Sequence, residues 1–331
     1  KLMSLIEKET GVQLPLSVLF DCPTIALLAA RLDKKEQVSE YKSLVCMKKG
    51  NGKMPLYIVH GARGTVPIFN RTIEHLHPDQ PIYGLQARGL DGSMPVVENV
   101  EEMATNYITE IIKNNPDGPY ALAGYSFGGI IAFEMARQLR KMNKEVKALI
   151  IFDTYADAAN GHHSALKARL QKWKVKIMSS LYNVREFIKD PVGRVAYQRE
   201  ELKTSMHKPY RRVKSWIEGK EKDLFYYKYK IEETNLRAKD RYQLHEFDGL
   251  VELFRAQKRT YYQDDQVYLG WKPFAKKGVR VHEIPGEHNK IFLPPNVNEL
   301  ARKLQLCLDN SVREETIEIP VFYHKRMMEA V

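Results

Sequence analysis

The 331 residues, 44% hydrophobic and 28% charged, allow one large domain or two ordinary ones and exclude a disordered chain, which would carry far fewer apolar groups. The longest apolar runs, such as 26–30 and 147–152, fall short of the roughly 18–20 residues of a bilayer crossing, and no charged-then-apolar leader opens the sequence. The net charge of +11 admits nucleic acid, an anionic membrane or an acidic protein as partner.

Between Leu2 and Leu32 apolar residues recur at three and four, which predicts two short helices interrupted by Gly11 and Pro15, the second capped by Thr24. Some thirty residues cannot enclose a core of their own. Because the sequence starts at Lys1 inside this periodic stretch, the piece (1–34) is expected to have been cut from something longer, and the charged residues 35–42 read as a linker. Cys22, Cys46 and Cys307 lie too far apart for a disulfide framework or a zinc spacing, which points to a reducing, cytoplasmic compartment.

From residue 43 onward short apolar runs alternate with longer helical patterns, the rhythm of a mostly parallel sheet with crossover helices. The fold class is therefore α/β, with strands predicted over 43–47, 55–60, 81–86, 120–124, 148–153, 250–255 and 279–284. Helices are predicted over 66–75, 100–114, 128–142 and 296–308. The interval 155–248 breaks the rhythm with helical patterns alone, so it reads as an insertion between two strands. It holds 21 Lys/Arg against 13 Asp/Glu, a net +8 that accounts for most of the chain's excess. Its basic residues alternate with Trp173, Tyr182, Phe187, Tyr210, Trp216, Phe225 and Tyr226, as on a solvated amphipathic face or a docking surface for an acidic protein. Residues 309–331 form a tail in which 316–323 would make an edge strand, demoted by Pro320.

Chemistry is concentrated at Gly124-Tyr125-Ser126-Phe127-Gly128-Gly129. A GxSxG between a buried strand and an amphipathic helix is the nucleophile-elbow context of the α/β-hydrolase fold. A serine hydroxyl is a poor nucleophile near neutral pH, so this fold requires an acid and then a histidine further along the chain. Asp153 ends the next buried strand, with Asp157 as the fallback. His288, in Ile284-Pro285-Gly286-Glu287-His288, follows the last strand; His60 precedes the serine in the wrong order, and His282 reads as a structural histidine inside its strand. A zinc site from His282, Glu283, Glu287 and His288 lacks a helical HExxH and a third partner. The oxyanion hole needs two backbone N–H groups. Phe127 supplies one, and Ala62, in the loop His60-Gly61-Ala62-Arg63-Gly64, the other.

Together with Tyr83-Gly84-Leu85-Gln86-Ala87-Arg88-Gly89-Leu90-Asp91-Gly92, these motifs make residues 43–308 resemble the terminal (type I) thioesterase domains that close nonribosomal peptide and polyketide synthetases. The stretch 14–32 is similar to the end of a carrier domain. The resemblance implies release of an acyl or peptidyl chain through an ester on Ser126, by hydrolysis or macrocyclisation, with 155–248 as a lid over the substrate channel. It also implies no cofactor of the domain's own: the substrate arrives on the phosphopantetheine arm of a carrier domain whose attachment serine this sequence lacks. The partners implied are that carrier and the synthetase modules of the same polypeptide, with neither nucleic acid nor membrane. Arg63, a large cation beside the oxyanion loop, and the tail depart from the pattern. An editing thioesterase or ester hydrolase of the same fold is the rival enzyme, and a catalytically silent interaction module the rival class.

Overall fold

The computed structural model describes residues 2–12, 24–33, 42–156 apart from 91 and 93, 165–191, 224–259 and 262–313, with a few single positions elsewhere. At the start, α1 (Leu2–Thr10) and α2 (Ile25–Asp33) match the two predicted helices. The Thr24 hydroxyl accepts the Leu27 N–H at 3.2 Å, an N-terminal cap. Leu14, Val18 and Leu28 bury themselves against Ile6, Val12, Cys22 and Leu32, a cluster of the small size that thirty residues permit.

The main body is a seven-stranded sheet in the order β1 (Leu44–Lys48), β3 (Ile82–Leu85), β2 (Leu56–Val59), β4 (Tyr120–Tyr125), β5 (Val146–Phe152), β6 (Val251–Lys258) and β7 (Val279–Glu287). Only β1 runs antiparallel to its neighbour. The central strands β2, β4 and almost all of β5 are buried, as a sheet covered on both faces requires. Alternate residues feed two cores. Tyr57, Val59, Leu122, Leu149 and Ile151 face one layer, and Leu56, Ile58, Ala121, Ala123 and Ile150 the other.

The first layer contains α4 (Val100–Asn114) and α5 (Phe127–Lys141). Val100, Met103, Ala104, Tyr107, Ile108 and Ile111 put the buried stripe of α4 at helical spacing, and Asn99 caps it by accepting the Glu102 N–H. The second layer contains α3 (Asn70–Glu74) and α8 (Val297–Arg313). The helix predicted over 66–75 is shorter, because a 3₁₀ turn at Pro67–Phe69 precedes α3. The last helix is longer than predicted and runs five residues into the expected tail. Asp309 continues it by accepting from Gln305, one turn back, at 3.0 Å and from Lys53 at 2.7 Å. The edge strand predicted at 316–323 lies outside the described residues.

Among the described residues, two helices represent the insertion, α6 (Ala165–Lys189) and α7 (Leu224–Arg241). Ile231, Thr234, Asn235 and Ala238 give α7 one buried face, continued by Tyr242, whose hydroxyl donates to Glu134 of α5 at 2.6 Å. Among the described residues, no helix is long and apolar enough to cross a membrane.

Candidate active site

The turn between β4 and α5 places Ser126 at φ 53°, ψ −120°, a conformation that costs a non-glycine residue of order 1–3 kcal/mol and persists only where neighbours impose it. Here they do. The Ser126 N–H donates to Phe152 at 3.1 Å, and the Thr154 hydroxyl donates to the Ser126 carbonyl at 2.7 Å. The glycines of the motif follow from crowding: a Cβ on Gly124 would stand 2.0 Å from the Gly128 carbonyl oxygen, and one on Gly128 would stand 2.2 Å from that of His60. Neither backbone can retreat, so the spacing of small residues around the serine is a steric necessity.

Asp153 follows β5 at the same sheet edge, at φ 47° and with its side chain wholly buried. Its Oδ2 faces His288 Nδ1 at 2.8 Å, while Oδ1 accepts from the Ala256 N–H at 2.8 Å and from Arg259 Nη1 at 2.9 Å. Burial alone would push this carboxyl up; the His288 hydrogen bond, the Arg259 and His288 charges and the Ala256 N–H outweigh it and hold it below the usual carboxylate range. An ionised carboxylate only accepts, so the Asp153 contact assigns the proton to His288 Nδ1 and leaves Nε2 with a lone pair. His288 opens a 3₁₀ turn directly after β7. Its ring stacks on Tyr125, the residue before Ser126, with centroids 5.0 Å apart, and the Tyr125 hydroxyl donates to the His288 carbonyl at 3.1 Å. Ser126, Asp153 and His288 thus converge on one edge; Asp157 lies outside the described residues.

The loop after β2 approaches from the other side: a Cβ on Gly61 would meet the Tyr125 ring at 3.1 Å. His60 is fully buried, with Nδ1 2.6 Å from the Gly61 carbonyl oxygen and Nε2 2.7 Å from the Tyr107 hydroxyl. A carbonyl cannot donate, so Nδ1 carries the proton and Nε2 accepts from Tyr107. Burial pushes the His60 pKa down to about 4, the Gly61 contact opposing it in part. Phe127 is the first residue of α5, where a helix leaves its N–H groups without internal partners and its dipole favours negative charge. Arg63, the departure from pattern, is largely exposed and lies 3.8 Å from Glu232 of α7.

Two participants carry no sequence signal. Arg259 stands 106 positions after Asp153, and only its place just beyond the carboxyl end of β6, the neighbour of β5, hints at the contact. Asn235 of α7 is 1% exposed and donates to the Ala62 carbonyl at 2.9 Å. His282 behaves as the structural histidine expected: its Nε2 meets buried Glu252 at 2.6 Å, and Arg280 meets the other Glu252 oxygen at 2.6 Å. Although Cys307 completes a set of donor atoms there, the guanidinium already supplies that group's cation.

This serine turn, buried carboxylate and edge histidine coincide with a family match. The thioesterase domain model matches residues 54–306. The chain belongs to the thioesterase domain family. A second model, the phosphopantetheine attachment site, matches residues 1–32 ahead of the thioesterase domain. Malpibaldin synthetase of Mortierella alpina is 39% identical over 46% of this chain and 3% of its own length. Aspulvinone E synthetase melA of Aspergillus terreus is 27% identical over 92% of this chain and 34% of its own. The chain thus spans 3% and 34% of these two curated relatives. Among solved structures, a four-domain nonribosomal peptide synthetase bound to AMP and glycine superposes with a TM-score of 0.62 at 24% identity, over 92% of this chain and 23% of that one. The NocB thioesterase domain in covalent complex with a fluorophosphonate nocardicin G analogue gives 0.54 at 21% identity, over 78% and 96%. Both share the α/β-hydrolase fold with this thioesterase domain.

Proposed function

We propose that this thioesterase domain releases an acyl or peptidyl chain from a carrier domain of the same polypeptide, with Ser126 as nucleophile, His288 as general base and Asp153 as the group that orients it. Residues 1–34 are the end of that carrier, 35–42 the linker, and 155–248 the lid of a domain that begins at residue 43. The free-thiol cysteines fit a cytoplasmic setting. The observation that carries the reading is the hydrogen bond at 2.8 Å between His288 and the buried Asp153 carboxylate, together with a serine held at positive φ.

Ser126 Oγ attacks the thioester carbonyl carbon while its proton passes to His288 Nε2. The carbonyl oxygen becomes an oxyanion, met by the N–H groups of Ala62 and Phe127. As the tetrahedral adduct collapses, the C–S bond breaks and the phosphopantetheine sulfur leaves with the proton from His288. Water, or a nucleophile within the chain, then attacks the Ser126 ester with His288 again taking its proton. Free acid or macrocycle departs, and the serine is regenerated.

The test is intact-protein mass after exposure to a thioester or a fluorophosphonate. Wild type should gain one adduct, mapped to Ser126, and Ser126→Ala should gain none and lose turnover. An adduct elsewhere, or multiple turnovers by the alanine variant, would sink the mechanism.

A further inference from the structure

The lid helix α7 reaches the loop that carries Ala62 at three adjacent points. Ile231, fully buried, packs on Ala87 and Leu90, and a Cβ on Gly64 would come within 2.9 Å of it. Glu232 faces Arg63. One turn on, the Asn235 amide donates to the Ala62 carbonyl at 2.9 Å. The preceding peptide is held from below: the Gly61 carbonyl accepts from His60 Nδ1 at 2.6 Å and from the Gly64 N–H at 3.0 Å. In a planar trans peptide the Gly61 C=O and the Ala62 N–H point in opposite directions, so anchoring that carbonyl aims the N–H. The Asn235 bond fixes the next peptide plane. With both planes held, rotation about the Ala62 backbone is restrained.

From this we infer that Asn235 is a positioning residue: the lid helix, besides covering substrate, holds the Ala62 N–H in the direction in which it meets the oxyanion. The inference rests on the proposed oxyanion role of Ala62. Preorganised donors act where charge develops, so a donor that wanders lowers transition-state stabilisation and leaves ground-state binding nearly untouched.

The test compares Asn235→Leu and Asn235→Ser with wild type, using a small neutral acyl thioester and an alkyl boronic acid. The boron accepts Ser126 Oγ while the proton passes to His288, giving a tetrahedral anion that mimics the oxyanion. Both variants should lose kcat by about ten- to a hundredfold, less than the roughly hundred- to thousandfold cost of deleting an oxyanion donor. KM should stay within about twofold, and boronate affinity should fall by the same factor as kcat. If Asn235→Leu fails to fold, Asn235→Ser, with its smaller perturbation, carries the comparison. A folded variant with unchanged kcat, or one whose kcat falls while boronate affinity holds, overturns the inference and leaves the nucleophile assignment standing. Wild type that turns over the thioester yet ignores the boronate removes the oxyanion reading itself, and this inference with it.

Discussion

Asp153→Asn should leave the packing of the site almost unchanged, because the amide oxygen can still accept from Ala256 and Arg259. The amide nitrogen, however, would face His288 Nδ1 donor to donor and drive the imidazole into the wrong tautomer. A fall in kcat/KM of about three to four orders of magnitude is expected; a modest loss, with a severe one at Asp157, would transfer the role. Arg259→Gln removes a charged hydrogen bond of about 1.5–3 kcal/mol from the same carboxylate, equivalent to roughly ten- to a hundredfold in rate if the bond acts only through Asp153's placement. That link is a hypothesis, and wild-type kcat/KM in the glutamine variant would dismiss it. His60 makes a separate prediction about stability. Its folded pKa of about 4 lies below the ordinary 6.5, so between these values the unfolded chain binds the extra proton. The neutral ring's contribution is therefore complete above pH 6.5 and is lost as pH falls towards 4, about 3 kcal/mol in all. Urea unfolding at a series of pH values should show this slope in wild type and a flatter one in His60→Gln. Parallel slopes would assign the loss to other groups.

Gly128→Ala tests the elbow as an element. The added methyl would sit 2.2 Å from a backbone oxygen of the β2 loop, and strand and helix are both pinned by buried neighbours, so overpacking should cost about 1–3 kcal/mol or more. The expected outcome is a lower urea midpoint together with loss of fluorophosphonate labelling; wild-type values for both would mean that the turn relaxes freely. The elbow was legible because its chemistry, sterics and chain position coincide within six residues. The central strands β2, β4 and β5 were legible to within a few residues because burial on both faces leaves almost uninterrupted apolar runs. The run 83–92 was legible only as a signature without a reason. The structure supplies one: Gly89 and Gly92 adopt φ near +76° and +79°, and Gly92 lies under the Tyr227 ring of α7, where a Cβ would be 2.1 Å away. Such a seat depends on a partner more than 130 positions distant, which no local period reports. The same holds for Arg259 and Asn235, whose partners are reached only after the sheet is assembled.

At the scale of the molecule, charge is unevenly placed, with a net +8 between residues 155 and 248. The resemblance implies that the carrier proposed to deliver the chain is acidic around its arm, and on that reading this segment should steer an acyl carrier. Exposed charges are screened over about 10 Å at 0.1 M salt. Delivery from a separate carrier protein should slow as salt rises, whereas hydrolysis of a small neutral thioester should barely respond. Reversing Arg211, Arg212 and Lys214 to Glu, positions outside the described residues, should copy the salt effect. Equal responses of both substrates would mean that the charge serves solubility or the channel instead.

Helices α6 and α7 also touch the core on either side of Ser126. The Tyr182 hydroxyl of α6 donates to the Arg259 carbonyl at 2.9 Å, and Asn235 of α7 donates to that of Ala62 at 2.9 Å. An engineer who replaces residues 155–248 with a foreign segment would cut both threads at once. Chimeras built at boundaries that spare Tyr182 and Asn235 should keep their speed while altering their selectivity, and those that exchange the whole segment should lose both together.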